Sequence, residues 1–171
     1  MSLAKVTIGL TNPKSPTNVG AIFRAAGCFQ ADRILYTGSR YDRGAAYCTD
    51  TQNLSKSIPL TSVDCLLDSA PENSQIVVIE LAENAISLAD FQHPENAFYI
   101  FGPEDGSVKQ KVVNRAHSVV YIPTIGSLNL AATVNVVLYD RLAKSTRGAA
   151  GNELIRESRD MNNRLKVKAT N

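Results

Sequence analysis

The sequence predicts an α/β domain built on a mainly parallel sheet. Short apolar runs alternate with longer stretches of helical periodicity, and no linker, internal repeat or low-complexity block divides the chain. Its 171 residues, 44% of them hydrophobic, suit one compact domain with a sizeable core.

Taken in order, Lys5–Leu10 reads as a strand and Asn18–Phe29 as a helix, with Asn18 as the expected N-cap. Arg33–Thr37 reads as a second strand. Thr37–Pro59, rich in Gly, Ser, Thr and Asn, has no clear periodicity. Ser62–Ala70 has helical spacing, Gln75–Leu81 and Ala97–Phe101 are apolar strands, and Val108–Arg115 is a helical stretch. A strand at Ser118–Ile122 is followed by a long helix from about Leu128 to Lys144.

Two of these helices carry more than a fold assignment. In the first, Val19, Ile22, Phe23 and Ala26 recur at the spacing of a core-facing stripe, which turns Gly20, Arg24 and Gly27 outward. Arg24 is then either a solvated arginine or, with small residues one turn away on each side, a fork for a phosphate or carboxylate. In the last helix apolar residues from Leu128 to Leu142 cover almost the whole circumference. That pattern points to burial on two sides, and at this chain length to a subunit interface or a deep core position.

Composition excludes several classes of function. With 18 basic and 16 acidic residues the formal charge is +2, too low for a disordered chain of this hydrophobicity. The longest nearly uncharged apolar stretch, Leu130–Tyr139, is far shorter than the ~18 residues of a membrane span. The N-terminal run Val6–Leu10 is too short for a signal sequence. A cytoplasmic location is therefore expected. Cys28, Cys48 and Cys65 lack C-x-x-C spacing, and His93 and His117 stand alone, so neither a disulfide framework nor a metal site is expected. Small buried thiols and surface or capping imidazoles are the expectation for these residues. No G-x-S-x-G elbow, dinucleotide fingerprint or P-loop occurs.

Charge is uneven along the chain. Residues 1–140 hold 10 basic and 13 acidic side chains, whereas residues 141–171 hold 8 and 3. The chain is accordingly divided into a main domain, 1–146, and a basic extension of the same domain, 147–171. The extension is either a solvated helix or tail, or a phosphate-contacting surface.

In a parallel sheet, ligands bind at the carboxyl ends of the strands. Three loops there have unusual composition: Thr11–Gly20, Gly102–Gly106 and Pro123–Asn129. Read with their flanks, NVGAIFRAA (Asn18–Ala26), FGPEDG (Phe101–Gly106) and IPTIGSLNLAATVNVVLYDRL (Ile122–Leu142) resemble, in order and approximate spacing, the three motifs of the SpoU branch of the SPOUT RNA methyltransferases. The motifs bracket nearly the whole chain apart from its basic end.

The resemblance implies an α/β fold with a deep trefoil knot near the C-terminus and a homodimer. It also implies S-adenosylmethionine as cofactor and methyl donor, and the 2′-hydroxyl of an RNA ribose as acceptor. Residue by residue, it implies catalytic roles for Arg24, Asn18, Glu104, Ser127 and Asn129. Leu81, Gly102, Ile122 and Leu128 would bind the cofactor, and Arg24 would contact RNA; Arg147, Arg156 and Arg159 are candidate RNA contacts on the charge of the basic extension alone. Glu104 alone would read as a turn residue, and Ser127 and Asn129 as helix caps.

Between Pro123 and Ser127 stand only Thr124, Ile125 and Gly126, fewer residues than the family usually places there. A non-catalytic RNA-binding homologue is accordingly the alternative to an enzyme. Transfer RNA is expected over ribosomal RNA as substrate, since the chain begins almost directly on its first strand.

Overall fold

The computed structural model describes residues 5–45, 58–145 and 150–168. Among them, seven strands form one sheet: β1 (Val6–Leu10), β2 (Arg33–Tyr36), β3 (Leu60–Ser62), β4 (Gln75–Ile79), β5 (Ile86–Ser87), β6 (Ala97–Phe101) and β7 (Ser118–Tyr121). Their order is β3-β2-β1-β6-β4-β7-β5, and every neighbouring pair is parallel. The central strands β1 and β6 are buried at every residue, which is why they read as unbroken apolar runs rather than alternating ones. Gly9 of β1 is required by packing: a Cβ there would stand 2.7 Å from the Phe98 ring on β6.

One face of the sheet is covered by α1 (Pro16–Cys28) and α4 (Leu130–Lys144). Val19, Ile22 and Ala26 of α1, and Val134, Val137 and Leu138 of α4, join Ile8, Tyr99 and Phe101 in the larger core cluster. The other face is covered by α3 (Gln110–Asn114) and by the turn around Leu66 and Leu67, which pack on Ile76, Val78, Phe98 and Ile100. The short helices α2 (Arg40–Ala45) and α5 (Asn152–Ser158) complete the described elements.

Four expectations are corrected. Ser62–Ala70 is not a helix: Leu60–Ser62 pair with β2 as an edge strand, and only one helical turn follows, closed by Ser69 N–H to Cys65 O before Pro71. The N-cap of α1 is Ser15 rather than Asn18. Ser15 Oγ accepts the Asn18 N–H, and Pro16, which has no N–H to satisfy, opens the helix. Cys28 is exposed and Cys65 half-buried rather than both being core thiols; Cys48 lies outside the described residues. His117 lies at the surface as expected, its Nδ1 accepting the Ile76 N–H of β4, whereas His93, expected at the surface or as a cap, has a buried side chain, 5% exposed.

The long helix α4 buries one stripe, Leu130, Ala131, Val134, Val137 and Leu138, against the sheet and α1. Its other apolar side is open: Val136, Tyr139 and Leu142 are 37%, 63% and 44% exposed. The expectation of burial on two sides is therefore met on one side within the subunit.

The far half of α4 is fastened by a polar network around His93. Asp140 Oδ2 lies 2.8 Å from His93 Nε2 and 2.8 Å from Lys144 Nζ, and the Tyr99 hydroxyl lies 2.6 Å from His93 Nδ1. Arg141 donates to Tyr99 Oη and to the Pro94 and Glu95 carbonyls, while Lys144 donates to the Leu88 and Phe91 carbonyls. Asp140 can only accept, which puts the imidazole proton on Nε2; with burial favouring the neutral ring, Nδ1 is assigned as the acceptor of the Tyr99 hydroxyl, whose oxygen accepts in turn from Arg141.

Burial holds the His93 pKa below its usual 6.5, outweighing the opposing pull of Asp140. Below about pH 6.5 the unfolded chain takes up a proton that the folded one resists, so stability falls as pH drops from there towards the folded-state pKa. Melting temperatures should therefore decline between pH 7.5 and 5.5 more steeply in the native protein than in His93→Gln. Parallel curves would contradict the assignment of a buried neutral imidazole.

Candidate functional site

Because the strands are parallel, the ends of β1, β4, β6 and β7 open on the same edge of the sheet. A cavity of about 290 Å³ lies there, at the small end of the ~300–1,000 Å³ range of ligand sites. Its walls are Ile79–Leu81 after β4, Phe101–Glu104 and Gly106 after β6, and Tyr121, Ile122, Thr124 and Gly126–Leu130 after β7, with Asn18 from α1. Asn18, Leu81, Gly102, Glu104, Ile122, Ser127, Leu128 and Asn129, which lie far apart in the sequence, thus meet in one place.

Glu104 organises the junction between two motifs. Its Oε2 accepts the Lys14 N–H at 2.9 Å, and its Oε1 accepts the Ser15 N–H at 3.0 Å and the Asn18 side-chain amide at 3.2 Å. Burial works against its charge, but those donors outweigh burial and hold the carboxyl below its usual range. Glu104 is therefore ionised and saturated by the start of α1, a positioning group for Asn18.

Asp105, next to Glu104 in the second motif, has a plain role. It receives Arg40 Nη1 at 2.8 Å and lies 3.9 Å from Lys14 Nζ. Arg40 also donates Nε and Nη2 to the Asn12 carbonyl, so one arginine ties the loop after β1 to the loop after β6. The Arg40 contact holds Asp105 below the usual carboxylate range.

The short loop after β7 stays at the cavity. Thr124 Oγ donates to the Gly126 carbonyl, Gly126 adopts φ +85°, and both residues line the wall. Asn129 caps α4, its Oδ1 accepting the Ala132 N–H at 2.7 Å, and among the described residues its amide donors have no partner, which suits them to a ligand. The Ser127 hydroxyl has no partner among the described residues and is exposed.

Arg24 stands apart from this group. It lies on the exposed side of α1, outside the cavity wall and without an ion pair among the described residues. The sites of Gly20 and Gly27 beside it are open, with nothing within 4 Å of an added Cβ. Arg156 on α5 is exposed and Arg159, its C-cap, half-buried, both remote in sequence from the cavity walls, while Arg147 lies outside the described residues.

Sequence reasoning missed Glu80 and Arg40. Glu80 was hidden as the residue ending an apolar strand, and Arg40 fell in the stretch without periodicity. Among the described residues no group of three or more His, Cys, Asp or Glu could hold a metal ion, and no helix is long and apolar enough to cross a membrane.

No curated protein matches the chain in sequence. Solved structures do match in fold. An AdoMet-bound rRNA methyltransferase from Sinorhizobium meliloti superposes with a TM-score of 0.65 at 18% identity, over 83% of this chain and 57% of that one. The SpoU methyltransferase AviRb from Streptomyces viridochromogenes, in complex with AdoMet, gives 0.66 at 19%, over 82% and 60%. A structure concerned with the 2-OH methylation of C/U34 on tRNA gives 0.65 at 21%, over 82% of this chain and 95% of the other. The chain thus spans less than two thirds of the first two proteins. At these identities the likeness establishes the α/β architecture. The SpoU rRNA methylase family model matches residues 5–139, a span that holds the first two motifs, all but the last three residues of the third and every wall of the cavity, and the chain belongs to that family.

Proposed function

We propose that the chain is an RNA methyltransferase that uses S-adenosylmethionine to methylate a ribose 2′-hydroxyl, with tRNA as substrate. The observation that carries this reading is the convergence of the three motifs, from strands far apart in sequence, on one cavity at the carboxyl edge of the sheet. The cofactor suits its lining. Gly102 presents bare backbone, and a Cβ there would press within 3.3 Å of Glu80 Oε2 and 3.4 Å of the Val108 nitrogen. Leu81, Gly102, Ile122 and Leu128, which all line the cavity, would hold the cofactor; two similar bacterial proteins are themselves bound to AdoMet.

Support for tRNA over rRNA comes from the relative concerned with tRNA, which is matched over 95% of its own length. We also propose the family's trefoil knot for the segment after β7, and a homodimer through the open α4 face of Val136, Tyr139 and Leu142. The catalytic domain is placed in residues 1–146 and the basic extension in 147–171. A cytoplasmic location fits this chemistry.

When bound, S-adenosylmethionine supplies an electrophilic methyl group on a sulfonium. The chain's own residues must align the ribose oxygen with it and exclude water, effects worth up to ~7–11 kcal/mol. Arg24, with an arginine's pKa of ~12.5–13.8, is a poor base. Its outward position suits holding an RNA phosphate and stabilising negative charge as it develops on the ribose oxygen. Asn18 is oriented by Glu104, and Ser127 and Asn129 offer a hydroxyl and an amide to the reacting groups.

Calorimetry with S-adenosylmethionine and S-adenosylhomocysteine tests the cofactor assignment. One site per subunit at micromolar ligand, with a matching rise in melting temperature, is expected. No heat and no stabilisation at large excess would favour the non-catalytic RNA-binding homologue.

The basic extension gives a separate prediction. No residue of 150–168 is buried, and Leu154, Ile155, Met161, Leu165 and Val167 are 41% to 98% exposed. Truncation after Lys144 removes Arg147, Arg156, Arg159, Arg164, Lys166 and Lys168. It should leave the melting temperature and cofactor affinity unchanged, and flatten the salt dependence of RNA binding by roughly 0.7–0.9 in log–log slope for each phosphate no longer neutralised. A lowered melting temperature with an unchanged slope would make the extension a structural element.

A further inference from the structure

Glu80 is the one carboxylate of the cavity wall that α1 does not saturate. It follows Ile79 at the end of β4 and is half-buried. Its Oε1 accepts the N–H of Leu81 at 2.9 Å and its Oε2 the N–H of Val108 at 3.0 Å. Two backbone amides, one from the loop after β4 and one from the segment after Gly106, therefore lock the carboxylate plane. Each oxygen keeps a second lone pair. Glu104, by contrast, receives three donors from Lys14, Ser15 and Asn18.

Gly102 faces Glu80 closely enough that even a methyl group would stand 3.3 Å from Oε2. The loop after β6 therefore approaches the carboxylate with backbone alone, and Glu80, half-buried on the cavity wall, stays open to a ligand in the cavity. A rigid carboxylate with two open acceptor sites matches a pair of neighbouring hydroxyl donors. At the carboxyl ends of parallel strands, acidic side chains commonly hold the hydroxyls of a ribose.

We propose that Glu80 is the residue that recognises the ribose diol of the nucleoside cofactor, and so selects an adenosyl ligand with both hydroxyls present. The proposal rests on the cofactor reading above and adds which side chain reads the sugar. Binding by the α-ammonium group at Glu80 is the competing arrangement, and the ligands below separate the two.

The test is calorimetry on the full-length protein with S-adenosylhomocysteine, with 5′-methylthioadenosine, which lacks the amino-acid portion, and with the 2′,3′-dideoxy form of 5′-methylthioadenosine. The native protein should bind the dideoxy ligand about 10- to 100-fold more weakly than 5′-methylthioadenosine, the scale of hydrogen bonds to a charged acceptor. In Glu80→Gln that gap should shrink to a few-fold at most, whereas a purely structural effect would weaken both ligands equally and keep the gap. If the variant does not fold, the comparison on the native protein still decides, since equal affinity for the two ligands overturns the proposal. A gap that persists in a folded Glu80→Gln also overturns it, as does a variant that loses S-adenosylhomocysteine selectively while still discriminating between the sugars. Absence of S-adenosylhomocysteine binding by the native protein would instead bring down the cofactor reading itself.

Discussion

Arg24→Ala should lower methyl transfer by about 10²-fold or more, the scale of losing one donor to a developing negative charge. The side chain is exposed on α1, contributes nothing to the core and has no ion pair among the described residues. Melting temperature and cofactor affinity should stay within error of the native values. Because holding a phosphate is part of the proposed role, RNA affinity should also weaken, and the slope of its salt dependence should drop by roughly the amount that one neutralised phosphate supplies. Arg24→Lys keeps the charge but not the planar fork, so it should recover phosphate binding more fully than rate. Full activity in Arg24→Ala would remove this residue from the mechanism and return it to the status of a solvated arginine.

Glu104→Ala should be costly in a different way. It leaves the Lys14 and Ser15 amides without their shared acceptor and frees the Asn18 side chain. Losing hydrogen bonds to a charged acceptor costs ~1.5–3 kcal/mol, and for a chain of this size that corresponds to a melting temperature lower by roughly 3–12 °C. Methyl transfer should fall too, since Asn18 would no longer be held at the cavity. The sign of the pH dependence follows from the direction of the shift. The folded pKa lies below the usual value near 4.5, so the carboxylate's stabilisation is fully present above that pH and is lost as pH falls through the folded value. The gap in melting temperature between native protein and Glu104→Ala should therefore be widest near neutral pH and narrow in acid. A gap that widens in acid would contradict an ionised, amide-saturated Glu104.

Much of this fold was legible because the central strands are buried on both faces. Val6–Leu10 and Ala97–Phe101 could be read almost to the residue as apolar runs. The sheet edges were not legible, for a physical reason. Three-residue β3 and two-residue β5 are too short to show a period, and the spacing of Val63, Leu66 and Leu67 imitates a helix although only one turn forms. At the site, motif positions marked the residues that converge on the cavity, but not what each one touches. That Glu104 serves the backbone of α1 rather than a ligand, and that Asp105 anchors Arg40, depend on contacts between segments up to 90 residues apart. No local pattern encodes such contacts. Glu80 was invisible for the same reason: as sequence it merely ends the strand IVVI, and only the closeness of Gly102 and Val108 gives it a direction.

The most direct test of the central claim is to incubate the purified protein with S-adenosylmethionine carrying an isotopically labelled methyl group and unmodified tRNA, then digest the RNA to nucleosides and resolve them by mass spectrometry. Label is expected in a ribose 2′-O-methyl nucleoside at a defined position, and should accumulate about 10²-fold more slowly with Arg24→Ala. Label on a base, or an RNA that binds the protein but acquires no label while the cofactor is bound, would contradict the assignment.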